Sequence, residues 1–234
     1  MNRRKLALVT GGNRGIGREL VHQLLLKEFQ VVLTCRNIKD GEAVVEALDG
    51  PVDQLTALIM DVSDDESVML ASKSFGERFD RLDVLVNNAG ILLDEAESIL
   101  TVSEDILNQT WNTNSLGALR VTRAFLPYLK NSDDPRVINV SSLAGQLKDM
   151  GSWAPAYSIS KTALNAVTCL LSNDLAQFNI KVNSVSPGWI KTDMGGPTAP
   201  GTLEEGTDTI VWLAEEAPAE LTGSFLRDRE PADW

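Results

Sequence analysis

The chain has 234 residues, 43% hydrophobic and 23% charged. That is enough apolar material for one α/β domain and too much for a disordered segment. Thirty-three acidic against twenty-one basic residues leave a net charge of -12 and no basic block, which argues against nucleic-acid and anionic-membrane partners. A single histidine, His22, and two isolated cysteines, Cys35 and Cys169, supply no ligand cluster, so no metal is expected. Two lone thiols also favour a reducing compartment, the cytoplasm. No apolar run approaches the ~18 residues of a membrane span.

In chain order, short β-rich apolar runs alternate with stretches of helical period. The runs at 6–9, 31–34, 57–60, 84–86, 137–140 and 182–185 read as six buried strands, with 224–226 a weaker seventh. This is the pattern that builds an α/β fold, a parallel sheet with helices on both faces. Ser63 with Glu66, Thr101 with Glu104 and Thr202 with Glu205 have the capping-box spacing of helix starts. His22 falls in the first helical pattern and reads as structural. The glycine- and proline-rich passage 195–206 is the longest loop-like stretch, and a mobile substrate loop is expected at about 188–206.

Directly after the first strand comes Thr10-Gly11-Gly12-Asn13-Arg14-Gly15-Ile16-Gly17, then a helical pattern beginning near Arg18. Glycines in a strand–turn–helix junction let the backbone approach a diphosphate, and the helix N-terminus presents N–H groups to it. At the end of the second strand, where a carboxylate would hold the ribose 2′-hydroxyl of NAD, stands Cys35-Arg36. Arg36, helped by Arg14, can pair with a 2′-phosphate instead, so NADP(H) is the expected cofactor. Asp61 and Val62 at the third strand's exit are placed to flank adenine, and Asn88, Ala89 and Gly90 at the fourth's to wall the cofactor, because ligands bind at the carboxyl edge of such sheets.

Tyr157 and Lys161 lie four apart, on one face of a helix expected over 157–178. An adjacent ammonium stabilises phenolate, and lowering the phenol pKa by ~3 units takes roughly 4 kcal/mol. Ser141-Ser142 ends the fifth strand and brings hydroxyls to the same edge. Asn114 interrupts a helical pattern in which asparagine has poor propensity.

Together T-G-G-N-R-G-I-G, N-N-A-G, N-S-L-G, V-S-S, Y-S-I-S-K and P-G-W-I-K-T, from 10 to 192, resemble the short-chain dehydrogenase/reductase family. The opening motif, V-V-L-T-C-R-N and G-S-F-L-R-D-R resemble its NADPH-dependent carbonyl reductase branch. The resemblance implies a single doubly wound α/β (Rossmann) domain, usually with a seven-stranded, mainly parallel sheet, that reduces a ketone, aldehyde or quinone carbonyl or runs the reverse oxidation. It implies Tyr157 as proton donor and Lys161 as the group that lowers its pKa and holds the nicotinamide ribose. Ser142 would orient the carbonyl, and Asn114 would hold a water in a relay to Lys161. Pro187, Gly188, Ile190 and Thr192 would position the carboxamide. Leu143, Met150, Trp153, Trp189 and Met194 are candidates for an apolar substrate pocket. A 3-oxoacyl-thioester reductase and a non-catalytic NADP(H)-binding redox sensor are the rival readings; the intact Tyr157 and Lys161 weigh against the sensor. Only 143–156 separates the serine from the tyrosine, where the branch's monomeric animal members carry a long insertion, and monomer and homo-oligomer both stay open.

Overall fold

A computed structural model describes residues 3–48 and 54–234. Seven parallel strands build the sheet: β1 (Leu6–Thr10), β2 (Gln30–Cys35), β3 (Leu55–Ile59), β4 (Val84–Asn87), β5 (Arg136–Val140), β6 (Lys181–Val185) and β7 (Phe225–Arg227). Their spatial order is β3-β2-β1-β4-β5-β6-β7, with a two-residue antiparallel strand, β8 (Glu230–Pro231), at the β7 edge. The sheet thus has eight strands where the sequence suggested seven. β8 follows a tight turn in which Asp228 and Arg229 both have left-handed φ, and a two-residue strand containing proline carries no period to read. The third strand lies at Leu55–Ile59 rather than 57–60; Met60 is buried beyond its end.

Helices cover both faces. The alternating pleat explains why the strands read as unbroken apolar runs: Ala7, Val9, Val31 and Leu33 enter one core with residues of α1 (Gly15–Leu26), α2 (Ile38–Ala47) and α7 (Leu203–Glu215). Leu6, Leu8 and Val32 enter the other, with residues of α3 (Asp65–Gly76), α5 (Gly117–Leu129) and α6 (Pro155–Leu175). Among the described residues no helix is long and apolar enough to cross a membrane.

Helix starts partly differ from expectation. Thr202 and Glu205 form a reciprocal capping box on α7. α3 is capped by Asp64, because Ser63 is engaged by the Asp61 carboxylate. α4 (Glu104–Trp111) is capped by Ser103, while the Thr101 hydroxyl turns to Glu97. α1 begins at Gly15, so the last glycines of the turn are themselves its first residues. α6 begins two residues before Tyr157, and the stretch expected to 178 ends in a 3₁₀ turn, Ala176–Phe178.

Two features position the site. The strand order reverses between β1 and β4, opening a crevice at their carboxyl ends. Between α4 and α5 the helix widens into one π-helical turn, Asn112–Leu116, centred on the asparagine whose helical placement was anomalous in the sequence; such turns recur at functional sites.

Candidate active site

The glycine turn joins β1 to α1. Gly11 and Gly15 have left-handed φ of 63° and 51°, and a Cβ on Gly17 would lie 2.2 Å from the Gly11 carbonyl oxygen. Arg14 precedes the helix with no side-chain cap, and no acid occupies the first turn. The result is a close-packed loop ending in a helix N-terminus without a side-chain cap, which fits a dinucleotide diphosphate. Asn13, Gly15 and Ile16 are partly exposed around it.

Thr10 ties this turn to the far wall of the crevice: its hydroxyl accepts from Asn88 N and Ala89 N, both at 2.9 Å, and Asn88 Nδ2 donates back to Thr10 O at 2.8 Å. Thr10 closes the first strand and was not singled out in the sequence. Asp61 is partly exposed, its carboxylate accepting from the Ser63 N–H and hydroxyl. Val62 lies in the core, and its carbonyl accepts from Arg120 at 2.6 Å, so its backbone N–H is the group left for a nucleotide. Arg36 is exposed beyond β2 with no partner among the described residues. Arg14, 64% exposed, turns instead to Asp193 at 3.5 Å.

Tyr157, Lys161 and Ser142 meet at the end of β5. Gly145 makes this approach possible: a Cβ there would be 2.7 Å from the Lys161 carbonyl carbon, so the 3₁₀ turn after Ser142 rests directly on α6. Thr162 and Asn165 both donate to the Gly145 carbonyl. Ser142 lies close enough to the Tyr157 phenol to oppose the rise of its pKa, whereas Ser141, 2% exposed, donates to the Lys161 carbonyl.

Lys161 is 4% exposed; its Nζ donates to Val140 O at 2.8 Å and lies 5.5 Å from the Tyr157 ring centroid. Burial pushes the ammonium down to about 8. It also pushes the Tyr157 phenol, 9% exposed, up to about 12 against the opposing influence of Ser142. Desolvation is the larger of the two effects, and the phenol holds its proton at neutral pH.

Asn114 is buried, and its side chain is fully engaged. Oδ1 accepts from Ile91 N at 2.8 Å, and Nδ2 donates to Ile91 O and Ser160 Oγ, each at 2.9 Å. It thereby fixes the segment after Gly90, and a Cβ on Gly90 would lie 3.6 Å from Lys161 Nζ. No side-chain N–H is left for a relay water, so that role would pass to an oxygen of Asn114.

The segment after β6 runs Pro187, Gly188, Trp189, Ile190. Ile190 is buried against Gly201 and Gly206, so it faces the loop's own core rather than the crevice. Thr192 packs beside Gly15. The loop is joined at its base by Lys191 N to Gly201 O and Gly201 N to Trp189 O, and α7 begins at Leu203.

An open cleft of about 320 Å³ is lined by Leu143, Met150 and Trp153 together with Gln146, Lys148 and Asp233. Trp153 meets the Tyr157 ring edge-on at 6.0 Å. Trp189 and Met194 are exposed and outside it. The tail after β8 forms part of its wall: Lys148 pairs with Asp233, Leu147 N donates to Trp234 O, and Trp234 stacks on Phe225. Sequence reading missed this tail, which carries no local motif.

A dinucleotide cradle beside a Ser–Tyr–Lys cluster at the switch point of a doubly wound sheet defines a nucleotide-dependent oxidoreductase. The chain belongs to the short chain dehydrogenase family, which residues 5–202 match. An NADPH-bound carbonyl reductase from chicken fatty liver superimposes with a TM-score of 0.91 at 30% identity, over 99% of this chain and 100% of that one. The carbonyl reductase Sniffer of D. melanogaster gives 0.89 at 32% identity, over 99% and 100%. The (+)-neomenthol dehydrogenase of Arabidopsis thaliana is 32% identical over 98% of each sequence.

Proposed function

We propose that the protein reduces the carbonyl of a ketone, aldehyde or quinone with NADPH, with Tyr157 as proton donor. The observation that carries this is the buried Lys161 ammonium, 5.5 Å from the Tyr157 ring centroid and next to Gly90 in the wall of the crevice, with Ser142 beside the phenol. Bound NADPH supplies the hydride to the carbonyl carbon. Ser142 donates a hydrogen bond to the carbonyl oxygen and orients it. Tyr157, protonated at neutral pH, delivers its proton to that oxygen as negative charge develops, since an alkoxide is a stronger base than phenolate. Lys161 places a positive charge within the same low-dielectric pocket, where it stabilises the phenolate left behind.

Arg36 supports NADPH over NADH: it is exposed at the β2 exit, and Cys35 stands where a carboxylate would repel a 2′-phosphate. Arg14 can leave its exposed contact with Asp193 to join it, because exposed pairs contribute only ~0–1 kcal/mol. Leu143, Met150 and Trp153 give the cleft an apolar side that suits the carbon skeleton of the substrate.

The test is NADPH oxidation against an aryl ketone, a quinone and an acetoacetyl thioester. Tyr157→Phe removes the transferable proton and little volume. It should lower kcat by roughly 10²–10⁴ while NADPH affinity is preserved. Near-normal turnover in this variant refutes the assignment.

A further inference from the structure

The helix that carries Tyr157 and Lys161 has no cap of its own. Its first residue, Pro155, has no N–H, and the preceding Ala154 has left-handed φ of 44° and no capping side chain. The first backbone donor is therefore Ala156 N, immediately before Tyr157. Its partner comes from sixty-two positions earlier: Asp94 Oδ2, in the loop after β4, accepts it at 2.5 Å. Asp94 is 1% exposed, and its other oxygen, Oδ1, has no hydrogen-bond partner among the described residues. Burying a carboxylate this completely is costly, and a half-satisfied one calls for a reason beyond packing.

The segment between β4 and Asp94 supplies that reason. At Asn88 it is fastened to the glycine turn through Thr10. At Ile91 both backbone groups are held by Asn114. At Asp94 it grips the peptide next to the proton donor. A short piece of chain thus links the cofactor cradle, the π-helical turn and the N-terminus of α6.

We propose that Asp94 is a positioning residue that sets the Tyr157 phenol relative to the cofactor cradle by holding α6 through the Ala156 N–H. Its side-chain hydrogen bond goes to the backbone of Ala156, not to the phenol. It acts through the backbone, where a misplacement of about 1 Å costs roughly 10²-fold in rate. The inference rests on Tyr157 being the proton donor, and the experiment separates the two.

Asp94→Leu keeps approximate shape and removes the acceptor. Asp94→Asn keeps an amide oxygen for Ala156 N–H. Ser103→Ala, which uncaps the exposed start of α4, is the control for simple loss of a cap. Steady-state kinetics with an aryl ketone and NADPH binding by nicotinamide fluorescence are measured on each, and on the Tyr157→Phe single and Tyr157→Phe/Asp94→Leu double variants. Expected are a kcat lower by roughly 30- to 100-fold in Asp94→Leu, NADPH affinity within about twofold of the parent, and Asp94→Asn within about tenfold of it. The double variant should be no slower than Tyr157→Phe alone, because both losses fall on one proton transfer.

If Tyr157→Phe is inactive while Asp94→Leu turns over within twofold of the parent, Asp94 is an ordinary cap and the proposal is overturned. If Tyr157→Phe stays active, the underlying reading fails instead. Should Asp94→Leu not fold, Asp94→Asn decides: turnover within tenfold and an unchanged pH profile support positioning, and a loss as deep as that of Tyr157→Phe overturns it.

Discussion

Lys161→Met should make the protein at least as stable as its parent while disabling it. Below pH 8 the ammonium is charged in both the folded and the unfolded chain. Burial lowers its pKa from 10.5 to about 8, so holding it charged inside costs about 3 kcal/mol at pH 7. Methionine fills much of the stem's volume without that charge, but leaves Val140 O without the donor now at 2.8 Å, a loss of about 1–3 kcal/mol. The balance at pH 7 lies between zero and a gain of about 2 kcal/mol.

The sign of the pH dependence makes the test sharp. Between the folded value of about 8 and the unfolded value of 10.5, the unfolded chain binds more protons, so parent stability rises with pH across that window. The variant lacks this rise, and its relative stability should fall by about 3 kcal/mol, most of it by pH 10. Tyr157, raised to about 12, adds an opposite slope only above pH 10, and does so in both proteins. Urea unfolding at pH 7 and pH 10 reads both numbers, and turnover should drop by roughly 10²–10⁴. A variant less stable than its parent by more than about 2 kcal/mol at pH 7, with an unchanged gap at pH 10, refutes the reasoning.

Three further outcomes follow from the same geometry. Arg36→Asp should shift the kcat/KM ratio of NADPH over NADH by ten- to hundredfold, about 1.5–3 kcal/mol; an unchanged ratio moves the phosphate site elsewhere. Gly145→Ala places a Cβ 2.7 Å from the Lys161 carbonyl carbon, which should cost about 1–3 kcal/mol in chemical denaturation and lower kcat more than NADPH affinity as the Ser142 turn is pushed off α6. Asp134 is held below the usual carboxylate range: the Lys181 and Arg136 side chains outweigh the burial that opposes them. Its contribution is present above the unfolded value of 3.8 and lost as pH falls through the lower folded one. Asp134→Ala should therefore be less stable at pH 7, with a gap that narrows in acid unfolding below about pH 3.8.

What could be read in the sequence was set by local periodicity and close spacing. Strands buried on both faces announce themselves as apolar runs, and the glycine turn declares its approach to a ligand because no other residue fits at Gly11, Gly15 and Gly17. The i,i+4 spacing of Tyr157 and Lys161 gave their shared face but not their burial. It is burial that carries the phenol up rather than down. Asp94 was invisible because it caps a helix sixty-two residues away, where no local pattern links acceptor to donor. Ser63 and Thr101 show the converse failure: the spacing of a capping box was present, but neighbouring carboxylates claimed the hydroxyls. The Asp233–Trp234 tail depends on long-range contacts with 146–148 and has no signature of its own.

The widened turn at Asn112–Leu116 carries one residue more than a regular helix needs there. Each residue of an α-helix advances by about 100°, so removing one position from this turn would straighten the rod, relieve its poor hydrogen-bond geometry and swing everything upstream out of phase with α5. Asn114 could no longer hold Ile91 while Ser115 bonds the Ser160 carbonyl. This segment therefore accepts exchange of side chains more readily than a change in length, and a single-codon deletion would uncouple the crevice while leaving the cores nearly as they are.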